Sequence, residues 1–174
     1  MRVFLSIVAV CALLVSPAFA EGHIGVVDVT VLLSESKASK NIQSQIDTYR
    51  SKNVSVLSKA EKALVEEERK LAGARASLDP AEFEKRVRAF DKDRVAFQKK
   101  AVAYRSSINA TSVQAEKSLM NEIVKVVGDI AAEKSYELVI TKQNVIVGST
   151  SLDITNEALK RLNKATSKIK VKFE

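Results

Sequence analysis

Apolar residues in the middle of this chain recur at alternating steps of four and three on both sides of a single turn. Back from Asp79-Pro80 the series reads Leu78, Ala74, Leu71, Glu67, Leu64, Ala60 and Leu57; forward it reads Phe83, Val87, Phe90, Arg94, Phe97, Ala101 and Tyr104. That is the a/d spacing of a heptad, so the pattern predicts two long helices folded back as an antiparallel coiled-coil hairpin. Folding at the turn sets Leu78 beside Phe83, Leu71 beside Phe90, Leu64 beside Phe97 and Leu57 beside Tyr104. The one charged layer opposes Glu67 to Arg94. The turn has its own chemistry, with Asp79 as N-cap, Pro80 at the first helical position and Glu82 where a capping box places a carboxylate. Helices from about Ser36 to Ser77 and from Pro80 to about Lys134 span on the order of 60 and 80 Å at ~1.5 Å per residue. Toward the root the seam turns polar, with Arg50 facing Thr111 and Asn53 facing Ile108, which predicts a compliant base.

Outside the hairpin the period changes to that of strands. His23 to Val29 is one β-rich run, and Tyr136 to Thr141 and Asn144 to Val147 are two more, separated by Lys142 and Gln143 and read as a hairpin. Gly148 to Ser151 is a turn, and a last helix starts near Asp153 or Thr155 with Ile154, Ala158 and Leu162 on one face. The predicted fold is α+β and mainly α. A small β body, split between residues 21–35 and 135–174, carries an inserted arm at 36–134 that turns near 78–80 and packs its last turns on the body. Cores below about 70–80 residues contribute few kcal/mol unless something staples them. The strand residues Ile24, Val26, Val27, Leu138, Val139, Ile140, Val145 and Ile146 are therefore expected to associate between chains.

The N-terminus places the chain in a compartment. Arg2, the apolar run Val3 to Val15 and the small-x-small site Ala18-Phe19-Ala20 form a cleavable signal peptide at residues 1–20. The run is shorter than the ~20 apolar residues that span a bilayer. Cys11 lies inside it, so the mature chain has no cysteine and loses disulfides, thiolate catalysis and cysteine metal sites. A lone His23 and carboxylates interleaved with Lys and Arg offer no metal set, cofactor site or nucleophile pair. Gly148 to Ser151 lacks the length and lysine of a phosphate loop. The chain reads as a binding protein and not an enzyme.

Charge sharpens the list of partners. The mature chain keeps 27 Lys plus Arg, the full 28 less Arg2, against 21 Asp plus Glu, and the segment from Lys160 to Glu174 alone carries +5. An exported chain with no groove-reading motif is not expected to bind nucleic acid. Anionic lipid headgroups or acidic polypeptides suit the basic tail, and a solvated tail is the alternative. Off the seam, Val54, Val65, Val95 and Val102 scatter apolar side chains among the arm's charges.

Taken in order, the cleavable signal, the strand Ile24-Gly25-Val26-Val27-Asp28-Val29, the long helical hairpin, the strand Tyr136-Glu137-Leu138-Val139-Ile140 and the helix start Leu152-Asp153-Ile154-Thr155 resemble the OmpH/Skp family of periplasmic chaperones. The resemblance covers essentially the whole mature chain and rests on the order of its pieces. It implies a homotrimer whose strands build a central β body and whose hairpins hang as tentacles around a cavity for unfolded outer membrane proteins. Lipopolysaccharide contact is also implied, without assignment to particular lysines, and no catalytic or client-contact residue transfers. The function expected is that of an ATP-independent holdase in outer membrane protein biogenesis. A structural coiled-coil adaptor or spacer of the cell envelope is the alternative. The basic tail after Leu162 runs longer than the resemblance implies.

Overall fold

A computed structural model describes residues 23–173, so the expected signal peptide lies outside it. Element boundaries follow side-chain caps. Asp28 accepts from the Val31 N–H at 3.1 Å and starts a short helix, α1 (Val29–Glu35). Ser36 is extended, fully buried and accepts from the Ser39 N–H, so the chain breaks there and restarts as α2 (Lys37–Ala74). Asp79 accepts from the N–H groups of Ala81 and Glu82 and, with Pro80 behind it, opens α3 (Pro80–Glu133). The capping signal in the sequence thus marks the tip of the hairpin, and α2 and α3 form the long arm that the heptad spacing predicts.

The two helices are unequal, at 38 and 54 residues. At ~1.5 Å per residue α3 is longer by roughly 24 Å, and that surplus runs into the body. There Ala115, Leu119, Ile123, Val126 and Ile130 are buried against Ala38, Ile42 and Ile46 of α2 and Leu32 of α1. The last helix, α4 (Thr155–Ala165), closes the cluster with Ile154, Ala158 and Leu162, the three positions its periodicity singled out. The core therefore reaches into stretches that a division at 36 and 134 gives to the arm. Between Ile46 and Ser107, Leu71 is the single residue buried outright.

β1 (His23–Val27) pairs in parallel with β2 (Tyr136–Thr141), matching Gly25 with Val139 and Val26 with Ile140. The other edge of β1 is taken by Asp153 and Ile154, with the Ile154 N–H on the Val26 carbonyl at 2.8 Å. The expected hairpin between β2 and Asn144–Val147 does not form. Lys142–Asn144 is a 3-10 turn, no strand follows it, and Ile146 is fully exposed. Two residues, Lys142 and Gln143, make a tight hairpin only with positive-φ backbone, and neither is a glycine or asparagine. Lys142 instead bonds Asp153 at 2.9 Å, and Gln143 bonds Thr30, so the chain turns away from β2.

The tail departs most from expectation. After α4 the chain runs back along the arm's root, with Ile169, Val171 and Phe173 packed on the core and Lys168, Lys170 and Lys172 exposed. Gln45 donates to the Ile169 carbonyl at 2.7 Å and accepts from the Val171 N–H at 3.1 Å. Thr111 donates to the Lys172 carbonyl at 3.0 Å. Phe173 stacks on Tyr49 with centroids 3.9 Å apart. The polar seam near Thr111, read as a compliant base, is covered by this strap.

α4 is tied to α3 by ions as well as by the core. Arg161 makes a two-pronged contact with Glu133, both bonds at 2.6 Å, and a third with Glu157, which also receives Lys134. The Arg161 guanidinium holds Glu133 below its ordinary range, and Lys134 and then Arg161 do so for Glu157. Asp153 falls from 3.8 to about 2, chiefly through its bond with Thr155 and then with Lys142. Carboxyls lowered in the folded state stabilise it above their unfolded values and lose that contribution as pH falls through the folded ones. The body is therefore expected to lose thermal stability between about pH 4 and pH 2. Melting curves across that window check this, and Asp153→Asn flattens the lower part of the slope. A second expectation comes from Ser135, which ends α3 at φ 54°. A left-handed non-glycine residue costs about 1–2 kcal/mol, partly offset by the entropy glycine adds to the unfolded chain. Ser135→Gly should raise the unfolding free energy by about 0.5–1 kcal/mol, seen as a higher urea midpoint.

Candidate functional site

The arm holds its seam loosely. Leu57, Leu64, Glu67, Leu78, Phe83, Val87, Phe90, Phe97 and Tyr104 are half-buried, Leu71 is buried and Arg94 is exposed. Two helices enclose a seam on two sides only, so this is the burial their geometry permits. Tyr104 turns toward the root, its ring 5.7 Å from Tyr49 and its hydroxyl on the Arg50 carbonyl at 3.4 Å. The Glu67 and Arg94 layer forms no cross-helix ion pair. Arg94 bonds Asp91 one turn back at 3.1 Å and Glu67 faces Lys70 at 3.9 Å. With water at the seam, opposite charges gain little by crossing it, and a neighbour on the same helix is nearer.

On one flank of the arm the phenyl rings stay uncovered because small residues surround them. Ala60 and Ala63 of α2 and Ala89 and Ala96 of α3 flank Leu64, Phe90 and Phe97 in a groove of about 540 Å³. Its rim carries Glu67 and Asp93 against Arg86 and Lys100, so the charges balance. Such a groove offers apolar contact and little selection by charge. Outside the groove Val54, Val65, Val95 and Val102 stand 54, 57, 43 and 67% exposed. Valine is a poor helix former, so exposed valines on helices contribute neither packing nor propensity. The valines were legible in the sequence as off-seam apolars. The alanine flanks were not, because alanine carries no sign of which face it opens.

A second unpartnered surface lies on the body. Val26 and Val27, expected at a contact between chains, are consumed by the chain's own core. Val139 and Ile140 are half-buried, as is Val145 in the loop beyond. Ile24 and Leu138, register partners on one face, stand 39 and 52% exposed, while Ile146 and Val147 are 100 and 90% exposed. β1 is occupied on both edges, whereas the outer edge of β2 is free among the described residues. His23, the only histidine, is exposed at the start of β1. No group of three or more His, Cys, Asp or Glu among the described residues is placed to hold a metal, and no described helix is long and apolar enough to cross a membrane.

Comparison with known proteins agrees with this architecture. The family model for OmpH, described as "Outer membrane protein (OmpH-like)", matches residues 23–162. An uncharacterised protein of Aquifex aeolicus is 27% identical over 143 residues, covering 79% of this chain and 84% of that one. A crystal structure from Caulobacter crescentus, described as OmpH-like and as a candidate outer membrane chaperone, superposes with a TM-score of 0.81. It is 15% identical, with 89% of this chain and 92% of that chain covered. The strap lies beyond the family match, which ends at Leu162.

The half-burial of the seam sets the size of an arm mutation. A fully enclosed phenylalanine loses about 3–5 kcal/mol on truncation, so Phe97→Ala, at a half-buried site, should cost about 2 kcal/mol. Amide exchange should accelerate from Leu57 to Tyr104 and stay unchanged at Leu119, Ile123 and Ile130.

Proposed function

The chain belongs to the OmpH family, and from that premise we propose that it is a periplasmic, ATP-independent holdase that keeps unfolded outer membrane proteins from aggregating in transit. The observation that carries this reading is the arm, a long two-helix rod with an open groove over Leu64, Phe90 and Phe97 and exposed valines outside the groove. Transmembrane strands of outer membrane barrels alternate apolar and polar residues, and before insertion their unpaired edges pair with one another. Many shallow apolar contacts with balanced charge hold such a chain without selecting a sequence. Each contact is weak, so release needs no nucleotide.

The reading extends to assembly as a homotrimer, with export directed by residues 1–20. The free edge of β2 and the exposed apolar residues Ile24, Leu138, Ile146 and Val147 near it favour association between copies, since an unpaired strand edge is a template for a second chain. Three arms hung from a shared body would enclose one unfolded chain. An envelope spacer would need one defined docking face, whereas the arm offers its groove on one flank and the exposed valines outside it.

Native mass spectrometry of residues 21–174, alone and after dilution of a urea-unfolded barrel protein into it, tests both parts. A trimer that takes up one unfolded chain is expected. An assembly that ignores unfolded chains and captures a single folded partner would replace the holdase reading with that of an adaptor. Ile146→Asp should shift the mass distribution toward monomer, and an unshifted trimer would remove that loop from the contact.

A further inference from the structure

The strap at the arm's root is bound through features that do not belong to its own sequence. Gln45 presents its side-chain amide as a strand neighbour would, donating to one backbone carbonyl and accepting from the N–H two residues on. Thr111 takes a third main-chain group, the Lys172 carbonyl. The remaining contacts partly bury alternate apolar side chains and stack one aromatic ring, Phe173 on Tyr49. Lys168, Lys170 and Lys172 face water and form no ion pair among the described residues. The groove therefore reads a backbone carbonyl and an N–H two residues on, an apolar period of two and an aromatic ring at its end, and ignores the charges between.

The strap also fails to fill its seat. An open groove of about 550 Å³ remains between it and α3, lined on the helix side by Ser107, Ala110, Thr111, Gln114, Ala115 and Ser118. The Ser107 hydroxyl faces no partner although it is buried. A site cut for Ile, Val and Phe alone would close on them, as protein interiors do. Space beside the seated segment, with the unpaired Ser107 hydroxyl and the Gln114 amide in it, suits a bulkier or more polar strand.

We infer that this root groove is a strand-accepting site, occupied here by the chain's own tail as a stand-in and open to a transmembrane β-strand of an unfolded client. The inference rests on the client class proposed above. Such strands have the recognised pattern, alternating apolar residues with aromatic girdles at their ends. A tethered occupant acts at an effective concentration of about 1 mM, so the tail screens weak passers-by and yields to a strand whose own chain is already held by the arms. The released tail would then extend its lysines away from the root.

Anisotropy of fluorescein-labelled peptides tests this on the full chain from residue 21. One peptide copies residues 166–174, a second copies a transmembrane strand of a barrel protein, and a third scrambles the second to cluster its apolar residues. Ile169→Ser with Phe173→Ser should free the groove, and this variant should bind the first two peptides at least about tenfold tighter than the parent. The scrambled peptide should not bind, and adding Gln45→Ala should weaken both complexes. Phe173→Ala alone repeats the comparison should the double variant melt early by circular dichroism. A strand peptide that binds the freed variant no better than the parent, or as well after Gln45→Ala, would overturn the inference. If the parent keeps an unfolded barrel protein soluble while the freed variant ignores the strand peptide, the root site falls and the holdase reading stands. If the parent holds no unfolded chain, the holdase reading falls, and the peptide comparison still decides the groove.

Discussion

Two helices cannot enclose the seam between them, and the rest of this structure answers that constraint. A third helix or a sheet is needed to bury an apolar stripe from all sides, and along most of the arm there is none. At the root the missing layers arrive: α1, α4, the sheet and the strap surround the base of α2 and α3, and outright burial returns at Ile42, Ile46, Ala115 and Leu119. The arm is thus a graded object, packed at one end and wet at the other. The same incompleteness that lowers its stability leaves Phe90, Phe97 and the valines available for contact.

Much of this was legible in the sequence because it rests on local rules. Asp79 with Pro80 fixes a helix start whatever surrounds it, and a heptad series on either side of one turn admits few arrangements. Ile154, Ala158 and Leu162 were readable for the same reason. What stayed hidden depends on partners far along the chain. Gln143 and Lys142 looked like a hairpin turn until Thr30 and Asp153 competed for them. Glu67 and Arg94 matched in sign and layer, but water at the seam removes the gain from pairing. In the tail, net charge drew notice while the alternation Ile169, Val171, Phe173 carried the structure. A period of two was present, and its short length and the lysines between masked it.

The two unpartnered surfaces divide by chemistry in a way that suits a carrier. The body offers a free strand edge and fully exposed aliphatic side chains, which demand a matched partner. The arm offers shallow apolar ground with balanced charge, which demands nothing in particular. On the function proposed, assembly uses the first kind of surface and the holding of cargo the second. The ion cluster of Arg161, Glu133, Glu157 and Lys134 sits on the body side and ties α4 to α3.

The parallel pairing of β1 with β2 brackets the entire hairpin, and this fixes an order of events. The Asp28 N–H finds the Thr155 hydroxyl 127 residues along the chain, and an open loop of that length is slow to close. Helix pairing at the Asp79-Pro80 turn is local and fast, and as it zips toward the root it carries β1 and β2 to within a few residues of each other. The body therefore closes last. A chain emerging through a membrane N-terminus first would expose β1 throughout the synthesis and export of the arm, with its proper mate not yet delivered. The short length of β1 and the glycine within it keep that waiting strand from being a strong template for anything else.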